Sequence, residues 1–116
     1  MDESKDYDPK WMLELCRGEP KMIAEVRSAF RVDASKRIAE ILEAIDRADI
    51  ALLVRSAHTL RGICLTIGAE PLASTALAIE QAALAGDVEK AHDFIDPLIE
   101  RSVRLFEALD RPEGKS

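Results

Sequence analysis

The stretch AHTLRGICLTIGAEPLASTALAIE, residues 57–80, decides the fold. Apolar residues recur every third or fourth place up to Ile67, which predicts an amphipathic helix. Gly68 favours the end of that helix, and Pro71 is typical of the first turn of the next one. The stretch therefore predicts two consecutive helices joined by a very short connection.

The same pattern extends over the rest of the chain, where five glycines and five prolines separate the apolar stripes. No stretch shows the two-residue alternation of a strand. We predict an all-α fold, an antiparallel up-and-down four-helix bundle with a short N-terminal helix that caps one end. We expect residues 1–8 to form a disordered lead, residues 9–110 the bundle and residues 111–116 a frayed tail. The predicted helices cover about residues 9–18, then residue 20 to a boundary near 46–49, then a third helix through about residue 67 with Asp49 as its N-cap, then residues 71–85 and 87–110, with Pro97 bending or restarting the last one.

Composition excludes several classes of protein. The chain has 116 residues, which suits one domain, and its net charge of -6 argues against a nucleic-acid interface. Its longest purely apolar run, residues 50–54, is far shorter than the roughly 20 residues of a membrane span, and its N-terminus is acidic where a secretory signal is basic. We expect a cytoplasmic protein that binds neither nucleic acid nor membrane, with Cys16 and Cys64 as reduced thiols and Cys64 in the core.

His58 is the candidate reactive residue. It lies about 140° around its predicted helix from the centre of the apolar stripe, so its side chain should be exposed. Gly62, one turn later, leaves room beside the imidazole for a bulky group, although a glycine inside a helix costs about 1 kcal/mol. Arg61 supplies a cation within reach of a negative group on the ring. An imidazole with a pKa of about 6.5 is largely neutral in the cytoplasm, so a ring nitrogen can attack phosphorus.

The surroundings of His58 indicate a surface that a partner covers. Val54 and Leu65 are apolar residues on a face that should be wet, and Arg55 lies beside them. We therefore predict that these three residues contact a partner protein. An exposed nucleophile, an access gap, a cation and an apolar collar together favour a histidine that receives a phosphoryl group from another protein.

These residues resemble the motif of the histidine-containing phosphotransfer (HPt) domain family. That motif runs A-H-[TS]-L-K-G, then small residues, then an apolar residue followed by Gly-Ala, then a helix with L-A and L-E. The corresponding residues here are Ala57, His58, Thr59, Leu60, Arg61 and Gly62, then Ile67, Gly68 and Ala69, then Leu72, Ala73, Ile79 and Glu80.

The resemblance implies a phosphoryl carrier without kinase activity of its own. His58 would accept a phosphoryl group from a receiver-domain aspartate and donate it to another receiver in a two-component phosphorelay. The implied partners are response-regulator receiver domains, including one belonging to a hybrid histidine kinase. The receiver would hold Mg²⁺, so this chain, expected to be a monomer, would bind no cofactor or metal.

The chain departs from the family pattern at three places. Arg61 replaces the usual Lys, which keeps the charge but changes its shape. Residues 63–65 are larger than the small residues that commonly follow the glycine. Some members have Gln where this chain has Glu80. The carboxylate of Glu80 would repel a phosphoryl group on His58 if the Glu80 side chain pointed toward that ring. Gln81 is a weaker candidate for that contact, and the sequence leaves the choice open.

Three other functions were compared with this hypothesis. A di-iron bundle is disfavoured because Glu89 and His92 form one E-x-x-H pair where two are needed. The dimerising hairpin of a histidine kinase is disfavoured because Thr59 and Ile63 stand where an acidic residue and a proline are usual. A non-catalytic four-helix module that binds a partner through the same exposed patch stays open, and it predicts that His58→Gln retains function.

Overall fold

The computed structural model describes residues 6–111, which contain six α-helices and no strand. The predicted all-α class is confirmed, and the helices pack together as a helical bundle. The helices are α1 (Pro9–Leu15), α2 (Pro20–Arg47), α3 (Ile50–Leu65), α4 (Glu70–Leu84), α5 (Val88–His92) and α6 (Ile95–Asp110).

The predicted restart of the last helix near Pro97 is confirmed, whereas the predicted end of the third helix is wrong. The helix expected over residues 87–110 is divided into α5 and α6, with the break at Asp93 and Phe94. Pro97 is the third residue of α6, where a backbone N–H would have no partner within the helix, so proline starts this helix at little cost. The third helix ends at Leu65 rather than Ile67 because Gly68 turns the chain with a φ of 68°.

Aspartate side chains begin three of the helices. The Asp49 carboxylate accepts a hydrogen bond of 3.1 Å from the backbone N–H of Leu52, as the sequence predicted for the start of α3. Asp8 and Asp87 cap α1 and α5 in the same way. Each cap satisfies a backbone N–H that has no acceptor inside its own helix, which fixes where the helix starts.

Helix α3 has neighbours on two sides. It packs against α2 and against α4, while α4 also contacts α5 and α6, and α2 contacts α6. Burial of each large apolar side chain contributes about 1.5–3 kcal/mol to folding. The largest fully buried side chains include Ile41, Leu53, Leu60, Leu72, Ile79, Leu98 and Leu105.

Both cysteines are buried and free. Burial raises the pKa of the Cys64 thiol to about 12 because the thiolate would lose its hydration in the core. Cys64 is therefore an uncharged thiol that fills space, as predicted.

A polar contact fixes α3 against α2. The hydroxyl of Ser56 donates to the Glu40 carboxylate at 2.9 Å, and the Arg37 guanidinium donates to the same carboxylate at 3.0 Å. These donors hold the pKa of Glu40 below its usual range, with Arg37 the larger cause. Because Ser56 faces α2, His58 two positions later lies on another side of α3.

The prediction of a disordered lead is wrong for residues 6–8, while residues 1–5 lie outside the described residues. Tyr7 is only 4% exposed, and the backbone N–H of Asp8 donates to the carbonyl of Ile67 at 3.0 Å. The lead therefore packs on the connection between α3 and α4. Arg111 is the last described residue, so the rest of the predicted frayed tail, 112–116, also lies outside them.

No helix within residues 6–111 is long and apolar enough to cross a membrane.

The contact at Gly68 generates a prediction about stability. A Cβ at this position would lie 2.7 Å from the Asp8 Cβ and 3.3 Å from Trp11 Cε3, and the backbone φ of +68° is unfavourable for other residues. We expect Gly68→Ala to lower the free energy of unfolding by about 2–4 kcal/mol, measured by urea denaturation. Gly86→Ala is the matched control, since its φ is +72° but its Cβ would meet nothing within 4 Å. Equal losses in the two variants would contradict this account.

Candidate functional site

His58 lies on the outer face of α3, and its side chain is 63% exposed. The opposite side of α3 buries Leu53, Ala57, Leu60 and Cys64, so the helix period places His58 in solvent. The exposure deduced from the sequence is therefore what the structure has. A partner can reach the ring without any movement of the core.

Glu80 of α4 holds the His58 ring. Its Oε2 lies 3.0 Å from His58 Nδ1, and its side chain is only 12% exposed. An ionised carboxylate has no proton to donate, so Nδ1 carries the hydrogen and donates it. The proton on Nδ1 leaves a lone pair on Nε2, and the carboxylate thereby selects the nitrogen that can act as a nucleophile.

Arg61 lies on the other side of the same carboxylate. Its Nε is 3.6 Å from Glu80 Oε1, too long for a hydrogen bond but close enough for an ion pair. Both of these atoms are buried, and neither forms a hydrogen bond with any atom of residues 6–111. Glu80 thus has a histidine at one oxygen and a guanidinium at the other, and Arg61 offsets its negative charge.

Glu80, and not Gln81, is the residue of α4 that contacts His58. Gln81 is exposed, and within residues 6–111 no hydrogen bond joins it to His58. One residue further along a helix is about 100° further around it, so both side chains cannot face the same ring. The placement of Gln81 at the site is therefore wrong.

Gly62 borders open space. A Cβ built on this residue would meet nothing within 4 Å, so no packing contact inside the chain requires a glycine here. A glycine inside a helix can serve a helix-packing contact or a mild kink, or it can leave room beside the histidine, as the sequence predicts. The open space favours the last of these.

The residues expected to contact a partner differ in exposure. Leu65 is 41% exposed and Arg55 is exposed, whereas Val54 is half-buried. Sequence reasoning missed Leu84, which is 67% exposed and lies one turn after Glu80 on α4. The sequence did indicate that Leu84 is exposed, because Leu84 falls outside the apolar stripe of its helix, as Leu65 does in α3.

A metal centre has no support in the part of the chain that the structure describes. Within residues 6–111 no three His, Cys, Asp or Glu side chains are placed to hold an ion. Glu89 and His92 instead line a shallow surface pocket between α2 and α5.

Comparison with known proteins identifies relatives of this chain. The model of the Hpt domain family matches residues 25–111, most of the chain. The crystal structure of histidine-containing phosphotransfer protein B (HptB) from Pseudomonas aeruginosa PAO1 has the same fold, with a TM-score of 0.84 at 19% sequence identity. The alignment covers 92% of this chain and 93% of that one. None of the curated proteins matches the sequence.

The open space at Gly62 makes a prediction about stability. We expect Gly62→Ala to raise the free energy of unfolding by about 1 kcal/mol, because alanine favours the helix and nothing in the chain obstructs its methyl group. Urea denaturation measures the change. A loss of stability would show that glycine is needed for packing inside the domain.

Proposed function

The chain belongs to the Hpt domain family, whose members are histidine phosphotransfer proteins of phosphorelays, and on that premise we propose that His58 is its phosphorylated residue. In this proposal His58 accepts a phosphoryl group from the aspartate of one receiver domain and donates it to another. The hydrogen bond from His58 Nδ1 to Glu80 is the observation that carries it. An exposed imidazole held in one tautomer is prepared for reaction at its other nitrogen.

The transfer step follows from that tautomer. The lone pair of His58 Nε2 forms a bond to phosphorus, the bond from phosphorus to the aspartyl oxygen breaks, and the aspartate leaves as a carboxylate. The ring keeps its Nδ1 hydrogen and becomes a phosphorylated cation. Glu80 stabilises this cation through a charge-assisted hydrogen bond, so it contributes more to the product than to the neutral starting ring. The reverse sequence donates the group.

Arg61 and Gly62 are proposed to control the approach of the phosphoryl group. Arg61 compensates the Glu80 carboxylate, which the sequence alone suggested would repel a phosphoryl group, and offers further N–H groups to the phosphoryl oxygens. The open space at Gly62 admits the receiver. Val54, Arg55, Leu65 and Leu84 are proposed to contact it. Alignment of donor, phosphorus and acceptor then supplies most of the catalysis.

The proposal also includes the domain organisation, the oligomeric state and the partners of the carrier. Residues 9–110 form one phosphotransfer domain, an antiparallel up-and-down four-helix bundle with α1 at one end, and the carrier acts as a cytoplasmic monomer. It has no kinase activity and binds no cofactor, because the receiver holds Mg²⁺ and supplies the acidic pocket. One of the receivers belongs to a hybrid histidine kinase. Glu40 on α2 and Ser56 on α3 form a hydrogen bond, and they lie a similar number of residues from the loop that joins the two helices. This pairing supports an antiparallel order of α2 and α3.

The chain has two histidines, which gives a matched test of His58. Phosphorylated receiver domains are mixed with the wild type, with His58→Gln and with His92→Gln. We expect acid-labile, base-stable label on the wild type and on His92→Gln, and none on His58→Gln, while circular dichroism shows three folded proteins. Label on His58→Gln would refute the assignment. A folded wild type that takes no label from any receiver would favour the partner-binding module.

A second test addresses Glu80 and Arg61. Glu80→Gln removes the negative charge but keeps an acceptor, and we expect phosphotransfer to slow by about tenfold or more, since a hydrogen bond to a charged group contributes about 1.5–3 kcal/mol. The ¹⁵N shifts of His58 should show a smaller fraction of the Nδ1–H tautomer, a change that general loosening of the fold would not produce. Arg61→Ala should also slow transfer, whereas Arg47→Ala, which removes an exposed arginine paired with Glu43 on α2, should not. Wild-type rates and ¹⁵N shifts in Glu80→Gln would exclude the orienting role.

A further inference from the structure

A second surface lies between α2 and α6. A groove of about 250 Å³ runs along these two helices and is almost entirely apolar. We call it the α2/α6 groove. Its lining residues are Ser35, Ile38, Ala39, Leu42, Ile99, Ser102, Val103 and Phe106.

The floor of the α2/α6 groove includes large apolar side chains in contact with solvent. Ile99 is 41% exposed and Val103 is 49% exposed, one turn apart on α6. Val32, one turn before the first lining residue of α2, is 65% exposed. Single exposed apolar residues are ordinary on a protein surface, but Ile99 and Val103 continue the apolar lining of the groove as one strip.

The rim of the groove is acidic. Asp46 continues the line of Leu42 on α2, and Asp96, Glu100 and Glu107 lie beside Ile99 and Val103 on α6, each at a spacing of three or four residues. These four carboxylates are exposed and form no ion pair with any residue between positions 6 and 111. The nearby cations are Lys36, Arg31 and Arg104. The Arg31 guanidinium lies 5.0 Å from the centre of the Phe106 ring and pairs with Asp110, and Arg104 pairs with Asp6. The charges of both arginines are therefore offset, and the four unpaired carboxylates leave the rim acidic. An acidic rim around an apolar strip complements an apolar stripe flanked by cations.

We propose that the α2/α6 groove binds an amphipathic helix of another protein, one whose apolar stripe is flanked by Lys and Arg. Its apolar residues pack on Ile99 and Val103, and its cations face the acidic rim. A second copy of this chain is a poor occupant, because each copy carries a net charge of -6 and would present the same acidic rim.

Binding in the groove leaves the phosphotransfer site free. None of the lining residues belongs to the surroundings of His58, which lie on α3 and α4. The helix would therefore hold the carrier beside another protein while His58 remains accessible to a receiver. This inference does not depend on the chemistry of His58, so the two proposals fail separately.

The probe is a synthetic helical peptide of about five turns with leucines along one face and lysines on both flanks, and its counterpart has glutamates in place of the lysines. We expect the lysine peptide to bind the full chain in a salt-dependent manner and the glutamate peptide not to bind, as measured by fluorescence anisotropy. Val103→Lys should weaken binding by about tenfold or more, because it introduces a like charge into the apolar strip. Leu15→Lys is the matched control, since Leu15 is 52% exposed on α1.

The outcomes separate the alternatives. Loss of binding in Val103→Lys, with wild-type binding in Leu15→Lys, would support the proposal whether or not His58 is phosphorylated. Absence of binding by the lysine peptide, or equal binding to both variants, would overturn it. A dimer of the wild type in sedimentation equilibrium that Val103→Lys dissociates would overturn it in favour of a second copy. Circular dichroism confirms that each variant is folded.

Discussion

The packing of α3 between two other helices is the constraint on which the rest of the structure depends. One stripe of α3 must be buried, and Ser56 must reach Glu40 on α2. These contacts set both the rotation and the height of the helix. His58 then has a single position, exposed on the outer face and beside α4. His58 is thus held by the packing of the core, which suits the alignment of three atoms that the proposed transfer requires.

Glu80 introduces a negative charge beside His58, and the structure balances that charge. The carboxylate is largely buried, where an unpaired negative charge would be destabilising. His58 contacts one of its oxygens and Arg61 the other. The arrangement lets the carboxylate serve the ring, since a phosphorylated imidazole with hydrogen on Nδ1 is a cation. The Glu80 carboxylate would be unfavourable beside a phosphoryl group. It is useful here because it contacts Nδ1 of His58 and leaves Nε2 free.

The bundle presents two surfaces of different character. Around His58, apolar residues lie beside a histidine and an arginine, and glycine leaves open space. Between α2 and α6, an apolar strip lies within an acidic rim. Because these surfaces lie on different pairs of helices, a partner bound to one of them would leave the other accessible. A helical bundle can present separate surfaces in this way because each pair of neighbouring helices forms its own groove.

Much of this protein follows from the sequence alone. The period of the apolar residues predicted the helices, glycine and proline marked most of their ends, and the angle around α3 placed His58 in solvent. These are local properties, because a helix rotates its side chains by a fixed angle at every residue. Only the tertiary structure decided that Glu80 rather than Gln81 meets His58, and that Tyr7 is buried. Both depend on how distant segments pack against each other, and a small rotation or sliding of one helix against its neighbour changes which side chains touch.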